Sequence, residues 1–130
     1  MSSWRRSWLR RVAVGQSAVY VTTGAWPLIH FRSFEIVTGR KREDWLVKAN
    51  GAIFLAIGAG LGTAASRDRL TPDWRTLAVL LGTGVVAVEV ANLRRGHIAP
   101  VFWLDAAFEA FLVAAWLFLG RGLSEVASRG

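Results

Sequence analysis

Three carboxylic acids lie inside long apolar runs, where such a side chain is least expected: Glu89, Asp105 and Glu109. Asp105 and Glu109 are four residues apart, which sets both on one face of a helix. A carboxylate near the middle of a bilayer costs a few kcal/mol on insertion scales, so that face must turn toward protein or water. Three carboxyls gathered in a low-dielectric site cannot all carry charge at once. Such a site can relay protons, hold a cation, or stabilise positive charge on an amphipathic ligand, and aromatic neighbours strengthen the last of these. The residues placed to join the acids as a ligand-binding cavity are Asn92, Tyr20, Trp26, His30 and Trp103, with Asn50 at similar depth.

Other chemistry is excluded by what the chain lacks. It has no cysteine and only 2 histidines, so neither a thiolate nor a His-rich metal site is expected. It carries no nucleophile elbow, phosphate-binding loop or dinucleotide fingerprint. No cofactor follows from the sequence, and no residue stands out as catalytic. The net charge of +7 does not mark a nucleic-acid surface, because the basic residues flank apolar blocks and meet anionic headgroups there.

The elements that position these acids are apolar blocks long enough to cross a bilayer, which takes roughly 20 residues. In 130 residues with 53% hydrophobic content the pattern predicts one all-α domain, an integral membrane four-helix bundle with spans at about 12–30, 46–65, 74–93 and 98–119. Trp4 to Arg11 is a basic, tryptophan-containing prelude to the first span. Its Arg5-Arg6 pair hints at a twin-arginine signal, but the apolar run behind it is too long for one. Pro27 should kink or end that span.

The connection from His30 to Asp44 alternates apolar and polar residues, which predicts a short interfacial helix stopped by Gly39. In the second span Gly58 and Gly62 form a small-residue face, suited either to internal packing or to a homo-oligomer seam. Thr71 and Pro72 read as N-cap and first residue of the third span. Pro100 suits the first turn of the last.

Depth follows from a rise of about 1.5 Å per residue: Glu89 lies about 6 Å past the midplane and Asp105 about 5 Å off it on the same side, with Glu109 and Tyr20 near the centre. These residues therefore converge on a half-depth cavity opening toward the first and third loops. Each has a plainer reading as well. Glu89 with Asn92 could be a polar pair joining helices. Asp105 and Glu109 could be packing elements bonded to Thr22, Thr23 or Tyr20. His30 and most of the tryptophans suit an interface belt. Nine basic residues fall on the side of the termini and seven on the other. That balance predicts both termini on the cytoplasmic side of the membrane.

The stretches Trp26-Pro27-Leu28-Ile29-His30, Ser33 to Gly39 with Trp45-Leu46-Val47, and Pro100 to Asp105 with Glu109 resemble those of small bacterial four-span proteins. That likeness covers most of the chain and brings no activity with it. A weaker architectural likeness, resting on Glu89, Asp105 and Glu109, is to the sterol-isomerase and sigma-2-receptor type of membrane domain. It implies a cavity that binds sterol-like amines or stabilises a carbocation. The expected function is binding of a lipid-like or cationic small molecule, or service as an accessory subunit of a larger membrane complex. The alternative is an intramembrane isomerase with Glu109 or Glu89 as proton donor. The expected partners are membrane lipids, a second copy or other membrane subunits, and no nucleic acid.

Overall fold

The computed structural model describes residues 2–39 and 43–123, and within them the chain is helical with turns between. The helices are α1 (Ser3–Ile29), α2 (Phe31–Thr38), α3 (Asp44–Ser66), α4 (Pro72–Arg94) and α5 (Phe102–Leu119). Three of them, α3, α4 and α5, are long and apolar enough to cross a membrane, which marks an integral membrane protein. Large apolar side chains outside the bundle fit an apolar surrounding: Leu46, Ile53 and Phe111 all lie more than half exposed. A water-soluble helix would turn such residues inward.

The longest helix, α1, is less apolar than these three because it carries Gln16, Ser17, Tyr20, Thr22 and Thr23. Gln16, Ser17 and Tyr20 are buried and satisfied inside the bundle. α1 is the central element. It packs against α3 along much of its length and against α5 on another side, while α4 packs on α5. Paired residues fix the directions as antiparallel: Gly24 meets Gly51 and Tyr20 meets Gly58 between α1 and α3, and Tyr20 meets Glu109 between α1 and α5.

Close approach of α1 and α3 depends on missing side chains. A Cβ on Gly24 would lie 2.6 Å from the carbonyl oxygen of Gly51, and one on Gly58 would lie 2.9 Å from Cβ of Tyr20. Gly62 faces Ser17 in the same seam. Of the two uses open to the Gly58 and Gly62 face, the structure adopts the internal one. Ser17 Oγ donates to the Gly58 carbonyl at 2.6 Å, adding a polar tie where the backbones touch.

The solid core sits at the end of the bundle that holds the N-terminus. There Leu9, Ala13, Leu61, Ala65, Ala78, Trp116, Leu119 and Leu123 form one buried cluster. Arg75 closes this end by donating from its guanidinium to the carbonyls of Trp116 at 3.1 Å and Leu117 at 3.0 Å. Those carbonyls lie in the last turn of α5, where helix acceptors run short of donors; the Trp116 carbonyl also accepts from the Gly120 amide at 2.9 Å.

Several boundaries differ from the sequence reading. The basic prelude is helical, so α1 begins at Ser3 and not near residue 12. Ser2 caps it, accepting from the Arg5 amide at 3.3 Å. Pro27 lies within α1 and the helix ends two residues later. The short loop helix is present as α2 and stops at Gly39, whose φ of 96° suits glycine. Thr71 holds the N-cap position with Pro72 first in the helix, but its hydroxyl makes no capping bond. The last helix starts at Phe102 and not at 98. Gly96 turns the chain with φ 70°, and Pro100 and Val101 are spent in a further turn.

Candidate functional site

At the opposite end from the core the helices enclose a cavity of about 980 Å³. α1, α3, α4 and α5 supply its walls, and Phe34, Val37 and Thr38 of α2 cover part of it. Its hollowness has a simple origin. α3 and α4 leave a tight turn with Gly60 near Trp74, then make no extended contact with each other. Gly84 of α4 lines the cavity with no atom within 4 Å of where its Cβ would be.

The sequence places Tyr20, Trp26, Asn50, Glu89, Asn92, Asp105 and Glu109 at matching depth, and all seven line this cavity. His30 and Trp103 do not. His30 caps α2, its Nδ1 accepting from the Ser33 amide at 3.2 Å. Trp103 is about half exposed on the outward face of α5. Trp103 thus turns away from the cavity on α5, and His30 lies in the junction between α1 and α2.

The three acids occupy different environments. Glu109 is buried, and its Oε2 accepts from the Tyr20 hydroxyl at 2.8 Å. Phe54 packs edge-on against the Tyr20 ring at 5.0 Å, so the donor is itself held. Glu89 interacts with Asp105 across the α4–α5 seam. Its Oε2 is nevertheless buried without a hydrogen-bond partner among the described residues. A buried carboxyl oxygen left without a donor costs on the order of 1–3 kcal/mol, so such an atom calls for a proton or a bound donor.

Asn92 is not Glu89's partner. Its amide donates to the Val88 carbonyl of its own helix at 2.7 Å. Thr23 likewise bonds its own backbone, at Val19. Trp26 lines the cavity but its indole N–H is occupied by Ser33 Oγ at 2.7 Å, which ties α2 to α1.

Sequence reasoning missed the other polar bridge of the bundle. Trp116 Nε1 donates to Gln16 Oε1 at 2.7 Å, with both residues buried. The available signal was the spacing of Glu109, Leu112, Trp116 and Leu119 on one helical face, all four of which are buried. Gln16 in the middle of an apolar run was the matching half.

No group of acids and histidines among the described residues has the arrangement of a metal site. Fold and site together define a helical integral membrane protein with an acid-walled apolar cavity. Compared with protein-family models, curated proteins and solved structures, the chain finds no match in any of the three.

Proposed function

We propose that the cavity holds a lipid-like molecule bearing a positive charge, with its apolar body among the aromatic and aliphatic walls and its cationic group at Glu89 and Asp105. The observation that carries this reading is the unpartnered Glu89 Oε2 beside Asp105, in a cavity of about 980 Å³. That volume lies in the range of small-molecule sites, which are apolar with a few convergent polar groups. A positive charge beside the Glu89–Asp105 pair would offset the cost of that unpartnered oxygen, and Tyr20, Phe54 and Phe108 line the same space.

In this reading the chain is a bundle of four spans with α1 as the fourth. At 27 residues α1 is about 40 Å long, enough to cross. Its polar side chains Gln16, Ser17 and Tyr20 are paired with other helices rather than with lipid. Both termini then share one side, and the arginines near the N-terminus favour the cytoplasmic side of a bacterial inner membrane. A catalytic role would have to run on Glu89, since Glu109 is held by the Tyr20 phenol.

The test is native mass spectrometry of gently purified protein beside its Glu89→Gln/Asp105→Asn variant. A co-purifying small molecule in the first and not in the second is the expected result. Two empty proteins of equal thermal stability would overturn the reading and move attention to an accessory role with other membrane subunits.

A further inference from the structure

A second site lies far from the acids, on the outward face of α1. Ser7, Arg10, Arg11, Val14 and Gly15 line a shallow, open groove of about 530 Å³. Their spacing places them on one face of the helix, opposite the buried face of Leu9, Ala13, Gln16 and Tyr20. The groove is polar and basic at its outer end and apolar at its inner end. From Ser7 to Gly15 the helix rises about 12 Å, the span from a lipid headgroup into the first acyl carbons.

The charge at this end has no internal counterpart on its helix. Arg5, Arg6, Arg10 and Arg11 all precede Glu35, the first acidic residue of the chain. Two of the four are fixed by aromatic rings: Arg5 lies 5.2 Å from the centre of the Phe118 ring, and Arg11 lies 5.2 Å from that of Trp8. Arg121 reaches the same Phe118 ring at 5.7 Å. Trp4 and Trp8 are about half exposed beside them, as tryptophans at headgroup depth are. Beneath the arginines, Gly15 has no atom within 4 Å of its missing Cβ, so the helix backbone is open to an adjacent chain beside the exposed Val14.

We infer that this groove binds one anionic phospholipid, its phosphodiester held by Arg10, Arg11 and Ser7 and an acyl chain lying over Gly15 beside Val14. Guanidinium groups suit this role because their forked donors match phosphate oxygens. A zwitterionic lipid fits less well, since its ammonium would sit among the same arginines. The acyl half of the site rests on α1 crossing the bilayer; the cavity and its ligand are independent of it.

The experiment is native mass spectrometry of the full chain in detergent, titrated with phosphatidylglycerol or phosphatidylcholine of equal chain length. One phosphatidylglycerol per chain should be retained in preference. Arg10→Gln and Arg11→Gln should each lower that retention about fivefold, following the strength of basic residues at anionic surfaces. Gly15→Leu keeps the charge and covers the open backbone, and should also lower retention. Arg94→Gln/Arg95→Gln, at the other end of the bundle, should leave it unchanged. Equal retention of the two lipids, or equal loss in the Arg94/Arg95 variant, would overturn the site as mere surface charge. Displacement of the lipid by millimolar inorganic phosphate would overturn it as a free-anion site. If the arginine variants lose lipid and Gly15→Leu does not, the acyl contact is overturned, whereas the cavity ligand would be retained in every variant.

Discussion

The hydroxyl of Tyr20 donates to Oε2 of Glu109 at 2.8 Å, joining α1 to α5 at the floor of the cavity. This bond makes Glu109 a fixed part of the wall and leaves Glu89 and Asp105 lining the cavity without such a tie. Tyr20→Phe would strand the Glu109 oxygen and should lower the unfolding free energy by about 1 kcal/mol, the scale of interhelical bonds in membranes. Glu109→Gln can still accept from the phenol and should cost less. Thermal unfolding in one detergent compares the two, and a larger loss for Glu109→Gln would contradict the assignment.

Because the glycine face of α3 is spent inside the chain, Gly58→Leu should destabilise the monomer rather than split an oligomer. Even a Cβ there meets Tyr20 at 2.9 Å and the Val21 backbone at 3.0 Å. Overpacking of this kind costs typically about 1–3 kcal/mol. Size-exclusion chromatography with light scattering, run beside thermal unfolding, separates a fall in stability from a change of oligomeric mass.

Two glycines on α4, two residues apart, should respond in opposite ways. Gly82 faces α5, where a Cβ would lie 2.5 Å from Cγ2 of Val113. Gly84 faces the cavity, with open space where its Cβ would be. Gly82→Phe should therefore unfold the α4–α5 hairpin, and Gly84→Phe should leave the melting temperature nearly unchanged while excluding the cavity's occupant. Retention of a co-purified ligand by a folded Gly84→Phe protein would count against binding at this site.

Arg75 should act as the cap of α5. Its guanidinium reaches two carbonyls, at Trp116 and Leu117, and a lysine offers only a point charge for both. Arg75→Lys should cost about 1 kcal/mol and Arg75→Ala more. Hydrogen exchange over residues 116–123 should quicken in both, ahead of exchange in α1.

The sequence was informative wherever position along a helix was enough. Apolar blocks bounded by arginine, tryptophan and proline gave α3, α4 and α5 to within a few residues, and Gly39 marked the end of α2. Counting rise from the ends brought Tyr20, Asn50, Glu89, Asn92, Asp105 and Glu109 to one level, and they share one cavity. The start of α5 was misjudged because Gly96 and Pro100 each take up chain in turns before the helix can begin.

Rotation about each helix axis was decided only by the packed structure. Depth adds up one residue at a time along a single chain, but the direction of a side chain depends on which neighbours pack against its helix. That is why His30 became a cap and Trp103 faced outward, neither of which the count of residues along a helix could show. It is also why Tyr20 took Glu109, why Gln16 took Trp116, and why the glycines of α3 closed on α1. The polar lining marks the cavity in the sequence, but its size does not show there, because it arises only where α3 and α4, joined by a tight turn, diverge beyond it.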